Sequence, residues 1–399
     1  MPLAKSVQQY CIITANYWLF TMTDGALRML VVLHFYALGY SSLQIAFLFI
    51  FYEAFGIVTN LIGGWLGARL GLNRIMQAGL LLQSVALIML LVPESLLTII
   101  WVMVAQAVSG IAKDLNKMSA KSAIKHLVPT EGRLFKWVSA LTGSKNTLKG
   151  LGFFLGAALL GLIEFRGTVV VLLCMILIAF LISVLLVKDI GRSVKKPRFS
   201  QILSRSSAIN RLSAARLFLF AARDAWFVVA LPVYLSSSLG WTHWQTGGFM
   251  ALWVIGYGIV QALAPHITAL AGSQTPDGKS AACWALVLTI ITMVLTTGVA
   301  LQLPVNINLI PGLLLFGIIF AVNSSIHSYL VVSYADFDSV SVDVGFYYMA
   351  NAAGRLMGTL LSGGLYLYGG LLACLAMSSV LLLLTFIWSV FLPRTTKRI

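Results

Sequence analysis

Residues 16–34 read NYWLFTMTDGALRMLVVLH, an apolar run long enough to cross a bilayer, with Asp24 and Arg28 near its middle. A charged side chain at the centre of a membrane helix costs roughly 2.5–3.5 kcal/mol on insertion scales, so it calls for a partner or a purpose. Asp24 and Arg28 stand one turn apart, where an acid preceding a base can pair along the helix surface. Two readings follow. The pair neutralises itself and does nothing more, or this helix lines a polar path through the membrane.

Composition favours the setting that both readings need. Apolar residues make up 59% of the 399 and charged residues only 10%, and the mean hydropathy is +0.94. Soluble domains run near 25% charged. The apolar runs are helix-length, well beyond the roughly 9–11 residues of a barrel strand, which predicts an all-α integral membrane protein. The opening MPLAK has no small-residue cleavage site after its apolar run and reads as an uncleaved first span. Cys11, Cys174, Cys283 and Cys374 lie far apart in apolar segments and form no metal or redox pattern. No cofactor is expected.

About twelve spans are predicted, at 10–37, 43–66, 74–92, 96–116, 138–162, 168–187, 213–237, 244–266, 281–303, 308–333, 343–366 and 370–392. Nineteen of the 27 lysines and arginines then fall on one side, and only Arg166 on the other. The positive-inside rule puts both termini in the cytoplasm of a multi-pass plasma (inner) membrane protein. The formal charge of +15 is mostly this topological signal. Because the charges sit in short loops beside spans, no nucleic-acid partner is expected, and the bilayer is the surrounding medium.

A basic linker, 188–212, divides a first six-helix half, 1–187, from a second, 213–399. Its cations suit anionic headgroups. An internal repeat supports the division. Leu19, Phe20 and Asp24 recur as Leu219, Phe220 and Asp224, and Leu38-Gly39-Tyr40-Ser41 with Gln44 recurs as Leu239-Gly240-Trp241-Thr242 with Gln245. Both copies run in the same direction, so the halves are parallel repeats, as in the major facilitator fold. The stretch Gly63–Arg74, GGWLGARLGLNR, resembles the signature loop of that superfamily through Gly64, Arg69, Gly71 and Arg74. Ala68 replaces the usual acid, which predicts a weaker or differently built latch.

Locating the charges within the spans gives the central expectation. Asp24, Arg28, Glu53, Lys145, Lys149, Arg216, Arg223, Asp224 and Arg355 all fall inside spans. Left unpaired, they would cost more than ~20 kcal/mol, against a typical stability of ~5–15 kcal/mol. They must be paired, hydrated or facing a cavity. Six are cations and three are acids, so about three positive charges lack an acidic partner. A cavity with excess positive charge suits a multiply charged anion.

Lys145 and Lys149 lie four apart on the fifth span with Asn146 between them, and the eleventh span repeats the pattern as Asn351 and Arg355. Arg216 and Arg223 lie seven apart, on one face of the seventh span. Arginine offers a planar fork to phosphate-like oxygens, whereas lysine acts as a point charge. These cations and both asparagines are the candidate substrate-binding set, with Lys149 and Arg223 expected to contact the anion from opposite halves. For Arg216 and Lys145, snorkelling towards the interface is an equal alternative. Asp24, Glu53 and Asp224 are candidates for ion pairing or coupling. On the fourth span Lys113 and Lys117 can guard an entrance, while Lys121 and Lys125 read as a solvated extension. Asn323 and His327 share a face of the tenth span, with hydrogen bonding favoured over proton relay. Asp336, Asp338 and Asp343 read as a docking patch for basic loops.

No Walker loop, GxSxG or HExxH is present, which argues against an enzyme and leaves an ion or solute gradient as the driving force. The runs quoted above, together with SGIAKDLNKMSAKSAIK (Ser109–Lys125), LTGSKNTLKGLGFFLG (Leu141–Gly156) and FLFAARDAWFVVALPVYLSSSLGW (Phe218–Trp241), resemble the ArsJ-type organoarsenical efflux permeases of the major facilitator superfamily over essentially the whole chain. The resemblance implies export of 1-arseno-3-phosphoglycerate by alternating access and hence arsenate resistance. It also implies dependence on glyceraldehyde-3-phosphate dehydrogenase, which makes that compound from arsenate; a monomer is expected. An organophosphate or phosphate antiporter of the same fold is the main alternative. A membrane sensor or scaffold lacks an output domain here, and a pump for neutral arsenite leaves the excess cations unexplained.

Overall fold

The computed structural model describes residues 3–39, 48–127, 131–187, 206–241, 243–337 and 340–394. Most of the linker therefore lies outside the described residues, as do Tyr40, Ser41, Gln44, Thr242 and Asp338. In lipid a chain must satisfy its own backbone hydrogen bonds, which leaves a helix for each span of this sequence. The described helices are α1 (Leu3–Ala37), α2 (Ile50–Leu70), α3 (Leu72–Met89), α4 (Ile99–Leu127), α5 (Glu131–Leu186), α6 (Ser207–Phe227), α7 (Ala230–Ser237), α8 (His243–Leu270), α9 (Gly278–Ala300), α10 (Leu309–Tyr334) and α11 (Val340–Val390).

Two of these are longer than any bilayer needs, and both fold back. α5 breaks at Ile163 and Glu164 (φ 58°, ψ −176°), and α11 at Gly369 and Gly370 (φ 59°, ψ −157°). Each supplies two spans joined by a tight turn. The predicted seventh span is also divided, into α6 and α7. Pro232 has no N–H for the Val228 carbonyl and its ring crowds that group, so the helix is interrupted there. By length and composition, seven stretches among the described residues are apolar enough to cross a membrane. α1, α2 and α4 fall short of that apolarity, and between them they carry Asp24, Arg28, Glu53, Lys113 and Asp114.

The chain forms two compact units. One comprises 1–130, 144–204 and 335–349; the other comprises 131–143, 205–334 and 350–399. The beginning of α11 thus belongs to the first unit and the beginning of α5 to the second. In the first unit a Cβ on Gly64 would strike the Ser341 carbonyl and lie 2.9 Å from the Gly345 Cα. Ala68 is 1% exposed, and Arg69 stacks on Trp65 at 4.9 Å. At the signature loop, then, glycine packing stands where an acid would otherwise lie. Gly71 turns the chain from α2 into α3 with φ 97°. Gly39 and Gly240, paired in the sequence repeat, share a positive φ of 86° and 66°.

Candidate functional site

Small residues bring the charged helices together. A Cβ on Gly25 of α1 would lie 2.6 Å from the Lys149 carbonyl oxygen, and one on Gly152 or Gly156 of α5 would run into the carbonyls of Met22 and Ala26. This close crossing sets Lys149 Nζ 3.8 Å from Asp24 Oδ2. The second unit repeats the device. Gly354 and Gly358 of α11 meet the backbone of Leu217 and Ala221 on α6, and Arg355 Nε lies 3.4 Å from Asp224 Oδ2. Lys149 and Arg355 stand as far apart in sequence as the two helix breaks, Glu164 and Gly370. The cation–carboxylate contact is therefore part of the repeat.

Around Asp24 the first unit builds a network across five helices. The Tyr52 hydroxyl donates to Asp24 Oδ1 at 2.6 Å. Arg28 does not close on Asp24, as the helical spacing allowed; it reaches α2, where its Nη2 lies 3.3 Å from Glu53 Oε1. Lys113 lies 3.9 Å from Glu53 and 4.0 Å from Asp114. Lys117 binds Asp114 at 2.6 Å and faces the Tyr348 ring at 4.7 Å. Lys145 and Asn146 are half-buried on α5, within a turn of Lys149. Four cations (Arg28, Lys113, Lys117 and Lys149) thus meet three carboxylates.

The second unit is built from arginine. Asp224, fully buried, receives Arg223 Nε at 2.6 Å and Nη2 at 2.5 Å on one oxygen and Arg355 on the other. Arg216 is 4% exposed. Its Nε donates to Asn351 Oδ1 at 2.8 Å, and its Nη1 donates to the Ser324 carbonyl at 3.1 Å and hydroxyl at 3.0 Å. It does not snorkel, because a turn of helix below it the Phe220 ring supports its guanidinium at 4.0 Å. Arg223 uses the same ring at 4.8 Å. Tyr257 and Gln261 complete the hydrogen bonds at Ser324. Three arginines gather with one carboxylate among the described residues.

Three sequence expectations need correction. Lys121, predicted to be solvated, is 2% exposed, because α4 runs on to Leu127 and packs within the first unit. Asp343, predicted to join Asp336 and Asp338 in a docking patch for basic loops, is buried instead. Asn323 and His327 are fully buried, and their side chains have no hydrogen-bond partner among the described residues, so the favoured hydrogen-bonding role is not seen. Tyr52, Phe220, Ser324, Tyr257 and Gln261 were missed. Only Phe220 carried a signal, as the repeat match of Phe20 beside Asp224.

Charged and hydrogen-bonding groups built into the interior of a two-repeat helical bundle define a membrane transporter. Residues 13–335 match the model of the Major Facilitator Superfamily, and the chain belongs to that family. No curated protein is similar enough in sequence to stand as a relative. Solved structures with the same fold include the human organic anion transporter MFSD10 (TM-score 0.72, 17% identity, covering 98% of this chain and 100% of that one). They also include the E. coli fucose:proton symporter FucP (0.75, 12%, 98% and 100%). A third is a bacterial homologue of the iron transporter ferroportin (0.76, 14%, 96% and 98%). The protein is a multi-pass membrane transporter and not an enzyme.

Proposed function

We propose that this transporter exports a small organic anion bearing two oxyanion groups, 1-arseno-3-phosphoglycerate, and so confers arsenate resistance. The observation that supports this reading is the excess of positive charge in both units. Arg28, Lys113, Lys117 and Lys149 exceed Asp24, Glu53 and Asp114 by one, and Arg216, Arg223 and Arg355 exceed Asp224 by two. Among the described residues of these groups cations outnumber carboxylates, and an anionic substrate suits such surroundings. Arginine forks suit phosphate oxygens, and lysine suits an oxyanion less demanding in geometry. Transport draws on an ion or solute gradient in the plasma membrane, with both termini cytoplasmic and the monomer as the working unit.

Arg216 and Arg223 also suit any phosphate monoester, which favours an organophosphate antiporter as the second reading. Counterflow in proteoliposomes separates the two. Arsenophosphoglycerate, generated inside the vesicle by glyceraldehyde-3-phosphate dehydrogenase, should exchange, and arsenite should not. Exchange of glycerol phosphate with no response to the arsenylated compound would establish the second reading instead.

A further inference from the structure

We propose that Tyr52 is a positioning residue whose ring holds Lys113 of the first unit ready for the transported anion. The proposal rests on the anion reading above. Tyr52 is 2% exposed, and a glycine accounts for what lands on it. A Cβ on Gly110 would lie 2.5 Å from the Tyr52 carbonyl oxygen and 2.9 Å from its Cα, so α4 approaches the α2 backbone as closely as helices can. One turn further along α4, Lys113 sets its ammonium 3.7 Å from the centre of the Tyr52 ring. Arg28 lies 5.0 Å from the same centre and 5.0 Å from that of Phe49. The hydroxyl is committed to Asp24.

One side chain therefore meets three charged groups from two other helices, and its effect on Lys113 is specific. Lys117 has a carboxylate at 2.6 Å, but Lys113 has none nearer than 3.9 Å. The ring face holds Lys113 in place of a short ion pair. At Asp24 the phenol occupies one carboxylate oxygen, and Lys149 stands at 3.8 Å from the other. A cation on a π face, or at the edge of ion-pair range, can turn to an incoming oxyanion without first breaking a tight contact. Tyr52 thus keeps the Lys113 ammonium localised and loosely tied.

The test compares Tyr52→Phe, which keeps the ring, with Tyr52→Leu, which removes it. Both use full-length protein in lipid nanodiscs, with 3-phosphoglycerate as the probe in isothermal titration. Tyr52→Leu should weaken binding about tenfold, the size of one partly desolvated cation–π contact, and Tyr52→Phe less than threefold. Adding Lys113→Gln to Tyr52→Leu should cost no more than Lys113→Gln alone. A second readout needs no substrate. Labelling of Lys113 by a water-soluble amine reagent, followed by mass spectrometry, should quicken about tenfold in Tyr52→Leu and less than twofold in Tyr52→Phe. If wild type binds no 3-phosphoglycerate but the labelling pattern holds, the substrate reading fails and the ring's hold on Lys113 stands. Equal labelling in all three proteins, or equal loss of binding in both variants, overturns the positioning role.

Discussion

Asp24 and Asp224 occupy equivalent places in the repeat but are held differently, and the difference sets what each substitution should do. Asp224 is closed on both oxygens by arginine, whereas Asp24 shares itself between a phenol and one distant ammonium. Arg223→Gln and Lys149→Gln should each abolish counterflow while leaving membrane insertion intact. Arg223→Lys should fail as well, because a point charge cannot replace the fork. Normal transport by both glutamine variants would remove these residues from the site. Breaking one side of a buried ion pair costs on the order of 3 kcal/mol, so Asp24→Asn should lower folded yield. Adding Lys149→Gln should recover yield, and adding Arg28→Gln should not; the reverse pattern in a thermal-melting series would show that Arg28 is the true partner. The sequence displayed the in-span charges because charge stands out in an apolar run. Their pairing was not legible, since helical spacing says which residues share a face but not which neighbour that face meets. Tyr52 stayed hidden for the opposite reason: an aromatic inside a span looks like core.

At the scale of the elements, the two tight turns offer a controlled comparison. Glu164 and Gly370 adopt nearly the same backbone conformation, in a region essentially reserved for glycine. Glu164→Gly should therefore stabilise the protein by about 1 kcal/mol, read as a raised unfolding temperature with transport unchanged. A lowered temperature would mean that the carboxylate itself holds the turn. The close crossing of α1 and α5 makes the contrary forecast for Gly152→Ala. A methyl group there meets the Met22 carbonyl, so the helices must part and Lys149 must leave Asp24. Transport should fall at least tenfold even if the protein inserts; transport at the wild-type level would show that the crossing tolerates the methyl group. Span positions were readable from apolar length, including the breaks inside α5 and α11. The burial of Lys121 on the extension of α4 to Leu127 was not, because four lysines at helical spacing look the same on a solvated extension as on a packed one.

For the whole molecule, the dependence on metabolism is the strongest forecast. Expressed in an arsenic-sensitive host, the transporter should protect against arsenate only when glyceraldehyde-3-phosphate dehydrogenase is active, and never against arsenite. Full arsenate protection in cells depleted of the dehydrogenase would mean that arsenate itself is exported. The two-repeat plan was plain from the linker and from matched residues such as Asp24 and Asp224. The exchange of segments 131–143 and 335–349 between units was not, since it depends on where a helix end finds its packing. That exchange bears on whether either repeat can exist by itself. A polypeptide ending at Val187 lacks Ser341 and Gly345, the partners that cover Gly64 in the intact chain. Made separately, each piece should be degraded; made together from two genes, the pieces should rescue one another, because the severed link is only the linker.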